Sequence, residues 1–149
     1  TKYLDATCLV YQGKKRVATV DYKSRPYTGI VHSGDVIQGE HGQHTIQLDL
    51  NVLPKSVTTC VFVDSAWNGA TLADIYSPTI SLQDSDRNPL CTYNLDSQDK
   101  LDHLTSVIMC KFYRSTRGAT FWHVQAIGES HHGHADSYGP IYEAADRLV

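Results

Sequence analysis

Chemistry-bearing residues crowd into one stretch of the chain. His32-Ser33-Gly34-Asp35-Val36-Ile37-Gln38-Gly39-Glu40-His41-Gly42-Gln43-His44 sets three glycines among two carboxylates and three histidines. Glycine tolerates positive φ, so Gly34, Gly39 and Gly42 let a loop turn its carbonyls and the Asp35 and Glu40 side chains toward one point. An oxygen-lined calcium site needs that convergence, and Asp5 upstream and Asp49 downstream could add further oxygens. The same composition also describes a surface loop whose charges face water. The spacing is neither an EF-hand, which alternates acids and closes on glutamate, nor a phosphate loop, which ends in Gly-Lys-Ser/Thr.

A second cluster, His131-His132-Gly133-His134 with Asp136, offers soft nitrogen ligands suited to zinc, copper or nickel. Adjacent loop histidines facing water independently are the competing reading. His41 and His44 could likewise soften a hard cation site. Cys8, Cys60, Cys91 and Cys110 lie far apart with no Cys-x-x-Cys pair, and three of them sit in apolar runs, which predicts free buried thiols. No serine or cysteine elbow, facing carboxylate pair or acid-oriented histidine stands out, so the expectation is a protein that is not an enzyme.

The elements that would position these residues are short β-rich runs separated by turn chemistry. Ala6 to Tyr11, Arg16 to Tyr22, Ile46 to Leu50, Val57 to Val63, Thr79 to Gln83, Leu90 to Asn94, Ser106 to Arg114 and Thr120 to Ile127 make about eight strands by pattern. Ile46 to Leu50 alternates apolar and polar faces, whereas Val57 to Val63 has no polar face beyond threonine and reads as a central strand covered on both sides. Only Tyr142 to Leu148 looks helical. The expected fold is an all-β antiparallel sandwich with a short C-terminal helix, in one domain spanning residues 1–149.

Net charge −3 and pI near 6.2 argue against a general nucleic-acid binder, and Lys14, Lys15 and Arg16 read as a solvated turn. No apolar run approaches the roughly 20 residues that span a bilayer, and no signal-peptide pattern or glycosylation sequon occurs. A cytoplasmic location is the expectation, with an extracellular one left open.

At the glycine-rich loop a resemblance becomes specific. Tyr3-Leu4-Asp5-Ala6-Thr7-Cys8, Ile30-Val31-His32-Ser33-Gly34-Asp35 and Gly39-Glu40-x-Gly42, then Ile46 to Leu50, Leu53-Pro54 and Phe121-Trp122-His123-Val124-Gln125-Ala126-Ile127-Gly128, resemble the TerD family of tellurite-resistance and stress proteins over nearly the whole chain. The resemblance implies a TerD-like β-sandwich that binds calcium through acids of the first strand and the loop. Asp5, Asp35 and Glu40 carry over by position. Val36 departs from the family's asparagine, and Gln43, His44 and Thr45 stand where it has Asp-Asp-Glu, so a calcium site here should be weakened. Family members also usually carry strand sequence before the Leu-Asp-Ala segment. A sandwich short of a strand would expose an edge that another chain can fill, so protein partners are expected, including a homo-oligomer or filament of the same chain.

Overall fold

A strand with no polar face must be covered on both sides, and that requirement organises the architecture. The computed structural model describes residues 4–24, 26–34, 36–38, 41–67, 69–75, 79–94 and 103–149, with the backbone alone at 36–38 and 41–43. Along these residues run β1 (Leu4–Gln12), β2 (Lys15–Val20), β3 (Pro26–Tyr27), β4 (Ile30–His32), β5 (Val36–Gln38), β6 (His41–Gln43), β7 (Ile46–Leu48), β8 (Thr59–Ala66), β9 (Thr79–Gln83), β10 (Pro89–Asn94), β11 (Ser106–Tyr113), β12 (His123–His131) and helix α1 (Gly139–Asp146). β8 carries that run up to Val63, and every residue in it is buried, Asp64 and Ser65 included. It forms the middle of a five-stranded antiparallel sheet ordered β12-β11-β8-β1-β2.

Side-chain alternation gives this sheet two apolar faces. One presents Cys8, Val10, Cys60, Phe62, Cys110 and Phe112 to a second layer, built from the sheet β3-β4-β7 and the hairpin β9-β10, which sends Ile46, Leu48, Ile80 and Leu82 inward. The other presents Leu9, Tyr11, Val61, Val63 and Ile108 to Ile141, Ala144 and Ala145 of α1. Polar contacts fix the helix there. Tyr11 Oη and Arg16 both donate to Asp146, Arg16 lies 3.5 Å over the Tyr142 ring, and Tyr138 Oη donates to the buried Asp21 at 2.6 Å.

All eight expected strands are present. The structure adds β3 to β6 between residues 26 and 43, in pieces of two or three residues too short to show a periodicity. The helix begins three residues earlier than its apolar spacing suggests. Pro140 stands in its first turn, where the missing N–H and fixed φ suit a helix start. The four cysteines are free thiols, three of them buried. Contact with Cys60 together with burial pushes the Cys8 thiol well up, and burial does the same to Cys110, so neither is a ready nucleophile.

Arg114 ties the loops at one end of the sandwich. It is buried, and its guanidinium donates to the carbonyls of Val57 at 2.8 Å, Ala119 at 3.1 Å, Pro54 at 3.0 Å and Lys55 at 3.1 Å while lying 4.5 Å from the centre of the Trp122 ring. Charge-assisted bonds are the stronger kind, and removing the donor leaves carbonyls without partners. Arg114→Ala should therefore cost about 3 kcal/mol in urea unfolding. Arg114→Lys should recover less than half, because an ammonium cannot span four acceptors.

Candidate functional site

β1 outruns its neighbour. β2 pairs with it only from Cys8 to Gln12, while β8 pairs from Leu4 to Tyr11, so no strand of the described residues flanks the other side of Leu4–Thr7. Two histidines take that place at Ala6. His44 Nδ1 accepts the Ala6 N–H at 2.9 Å, and His32 Nε2 lies 2.9 Å from the Ala6 carbonyl oxygen. Gly34 N–H donates to His32 Nδ1 at 2.8 Å, which fixes the tautomer and leaves Nε2–H to donate to Ala6. Because His44 Nδ1 is also an acceptor, its proton sits on Nε2.

The loop geometry follows from local chemistry. Gly34 has φ +71, a left-handed backbone that glycine adopts without strain, and this turns its N–H back onto His32. Ser33 and Thr45 close the base of the loop through Ser33 N–H to Thr45 O and Thr45 N–H to Ser33 Oγ, both at 2.9 Å. Between them β5 and β6 pair, with Gly42 opposite Ile37. The rings of His32 and His44 meet edge to face at 4.9 Å.

Beside the latch lies a pair of acids. Asp5 is 1% exposed, and His44 Nε2 stands 3.6 Å from its Oδ1. Asp64, 6% exposed, lies in β8 opposite Ala6, and burial followed by the charge of Asp5 pushes its carboxyl up to about 7. Sequence reasoning passed over Asp64 and gave His32 no role. The signal available for Asp64 was an acid directly continuing an apolar run.

Other expected ligands are dispersed. Asp35, Glu40 and Gly39 lie outside the described residues. Asp49 is exposed beyond the Leu48 end of β7, whose Ile46 end adjoins His32, and its carboxylate accepts the Asn51 N–H at 3.0 Å. It is not brought to Asp5. The second histidine cluster also splits up: His131 Nε2 faces Glu129 at 3.4 Å, His132 packs on His103 at 5.4 Å and His134 Nδ1 lies 2.8 Å from the Ala135 carbonyl oxygen.

Calcium takes six to eight oxygen ligands. Among the described residues no three of His, Cys, Asp and Glu converge as a ligand set, and His44 sets an N–H rather than an oxygen against Asp5. The described donors therefore do not make a calcium shell by themselves.

Comparison with known proteins places this geometry. The TerD-domain family profile matches residues 3–137. No curated protein matches the chain. Among solved structures, the unknown-function protein SAV2460 superposes with TM-score 0.76 at 15% identity, over 94% of this chain and 85% of that one. A homologue of telluride resistance protein (TerD) from Streptomyces coelicolor A3(2) gives TM-score 0.73 at 18% identity, over 93% and 85%. At these identities the structural likeness establishes the sandwich and nothing finer.

Asp64 makes stability depend on pH in a defined direction. Its folded pKa of about 7 exceeds the ordinary 3.8, so the folded chain keeps a proton that the unfolded chain releases. The stability it contributes is full below about pH 4, falls as pH rises toward 7 and levels off above. Asp64→Asn should flatten this decline and exceed the wild type at pH 8 by roughly 2–4 kcal/mol. Thermal melts of both proteins from acid to mild alkali would check it, and a parallel decline in both would place the titration elsewhere.

Proposed function

Because the chain belongs to the TerD-domain family, matched over residues 3–137, we propose that it is a non-catalytic binding module of the stress-response and tellurium-resistance type. It acts on protein partners in the cytoplasm, and its loop 33–45 is latched to β1 by histidine and takes calcium only weakly. The observation that carries this reading is His44, which stands where the resemblance expects a carboxylate and turns its Nε2–H toward Asp5. The latch holds the loop with neutral imidazoles and backbone groups, so its geometry needs no ion. Asp5, with Asp35 and Glu40, remains to attract calcium at high concentration.

Calorimetric titration and thermal shift test both halves of the reading. The wild type should bind calcium near the millimolar range and melt at the same temperature with a chelator as without. His44→Asp, which restores an acid, should bind about tenfold more tightly. Micromolar binding by the wild type or melting induced by chelator would overturn the histidine latch. No heat at millimolar calcium would overturn the weak site.

A second reading, self-assembly by strand addition, is favoured by the second layer. Among the described residues no hydrogen-bonded ladder joins β7 to β9 or β10, although both pieces pack on one core. Open edges accept strands from other chains, and a homo-oligomer or filament would result. Light scattering coupled to size exclusion should then show a mass that rises with concentration and ignores chelator, whereas a clean monomer at every concentration would remove this reading.

A further inference from the structure

The end of the sandwich away from the histidine latch has a different chemistry. Three connections meet there: the β1–β2 turn, the loop 49–58 and the β11–β12 connection. Gln12 Nε2 donates to Ser56 Oγ at 2.9 Å, Gly13 N–H to Thr58 Oγ1 at 2.8 Å and Gly118 N–H to Lys55 O at 2.9 Å, while Arg114 clasps the last two segments from beneath. Between them opens a cleft of roughly 660 Å³, lined by Gln12, Ser56, Thr58, Ser115, Thr116 and Arg117. Its lining is hydroxyl groups, one amide side chain and a guanidinium.

Apart from Asp49, these three connections carry cations without acids, although Asp146 lies beside them on Arg16 and the neighbouring β9–β10 turn bears Asp84 and Asp86. The chain carries net −3, yet residues 6–20, 50–63 and 103–128 contain no aspartate or glutamate. Lys14, Lys55 and Arg117 on these connections and Lys15 at the start of β2 are exposed, and none is ion-paired with a carboxylate of the described residues. Asp49 borders the second segment, with its carboxylate turned onto Asn51. Three of the five large apolar side chains exposed among the described residues lie at the same end, the other two being Val31 on β4 and Leu90 on β10. Phe121 is 81% exposed, Val52 52% and Leu50 42%, all on these connections.

We propose that this end of the sandwich docks on an anionic phospholipid surface, with Lys14, Lys15, Lys55 and Arg117 meeting headgroup phosphates and Phe121 entering the acyl boundary. Unpaired cations on hydroxyl-rich loops complement a layer of phosphates. A soluble polyanion would satisfy the cations equally well. Free phosphate would offer nothing to Phe121, whereas a lipid layer sets an apolar phase behind the charge. A nucleic acid, whose bases could stack on the ring, is disfavoured by the net charge of −3. The Arg114 clasp ties the loop 49–58 to the β11–β12 connection and holds both features at one end of the sheet, so contact needs no spanning segment.

Sedimentation of the full chain with vesicles tests the assignment. Binding is expected to vesicles containing phosphatidylglycerol and absent with phosphatidylcholine alone, and it should weaken from about 0.1 M to about 1 M salt as charges are screened. Each of Lys14→Ser, Lys55→Ser and Arg117→Ser should weaken it about fivefold, near the usual worth of one basic residue at such a surface. Phe121→Ser should weaken it about tenfold. All four side chains are exposed, and unchanged melting curves would confirm folded variants. Absence of binding to the anionic vesicles, or equal binding by the charge variants, would overturn the proposal. So would a Phe121→Ser protein that behaves as wild type while inorganic phosphate or a soluble oligonucleotide competes fully, which would assign the cleft to free anions.

Discussion

A strand that runs on past its neighbour carries backbone groups that the neighbour no longer pairs, and the domain resolves this at Ala6, which is half-buried. Leaving a buried N–H or carbonyl without a partner costs about 1–3 kcal/mol, so the flank of β1 beyond β2, which no strand of the described residues covers, needs other partners. His44 and His32 are those partners, one accepting and one placed to donate. Their requirement propagates outward. Gly34 must turn back onto His32, Ser33 and Thr45 must close the loop base, and β5 pairs with β6 between them. The same clasp covers Asp5, and the buried charge of Asp5 helps to keep a proton on Asp64. A backbone constraint thus sets the electrostatics of the corner.

The parts of this fold legible from residue order were those with a period. β8 could be read because its apolar run has no wet side, and β7 because Ile46 and Leu48 alternate with Gln47. β3 to β6 could not, since two- and three-residue strands carry no pattern and owe their existence to neighbours distant in sequence. The corner was half legible. Asp5 and the loop stood out through composition and resemblance, but a histidine's role depends on what lies against each ring nitrogen. Only the approach of the Ala6 backbone shows that His44 is a hydrogen-bond acceptor with its remaining proton aimed at an acid. Asp49 misled for the opposite reason, because nearness in sequence carried no information about which end of β7 it would occupy.

The two ends of the sandwich differ in kind although one strand links them. β1 begins beside the buried acids and histidines and ends at Gln12 among the lysines. From Asp5 to Gln12 the strand covers about 23 Å at the usual rise per residue. Acids on one side of that span are buried and held by imidazole or protonation, while cations on the other are exposed and unpaired by described carboxylates. This contrast along β1 is one that the net charge of −3 does not show.

The packing of α1 on the outer face of the sheet bears on how the chain reaches this state. Tyr11 meets Asp146 across 135 positions of sequence, and Thr7 meets Tyr138 across 131. Contacts of such separation slow folding because long loops must close before any gain is realised. During synthesis, β1 emerges well before α1, so Leu9 and Tyr11 stay uncovered until the segment bearing Ile141 and Ala145 has left the ribosome. A strand made long before the helix that seals it waits with one apolar face open, and for that interval the face is a substrate for chaperones or for a neighbouring nascent chain.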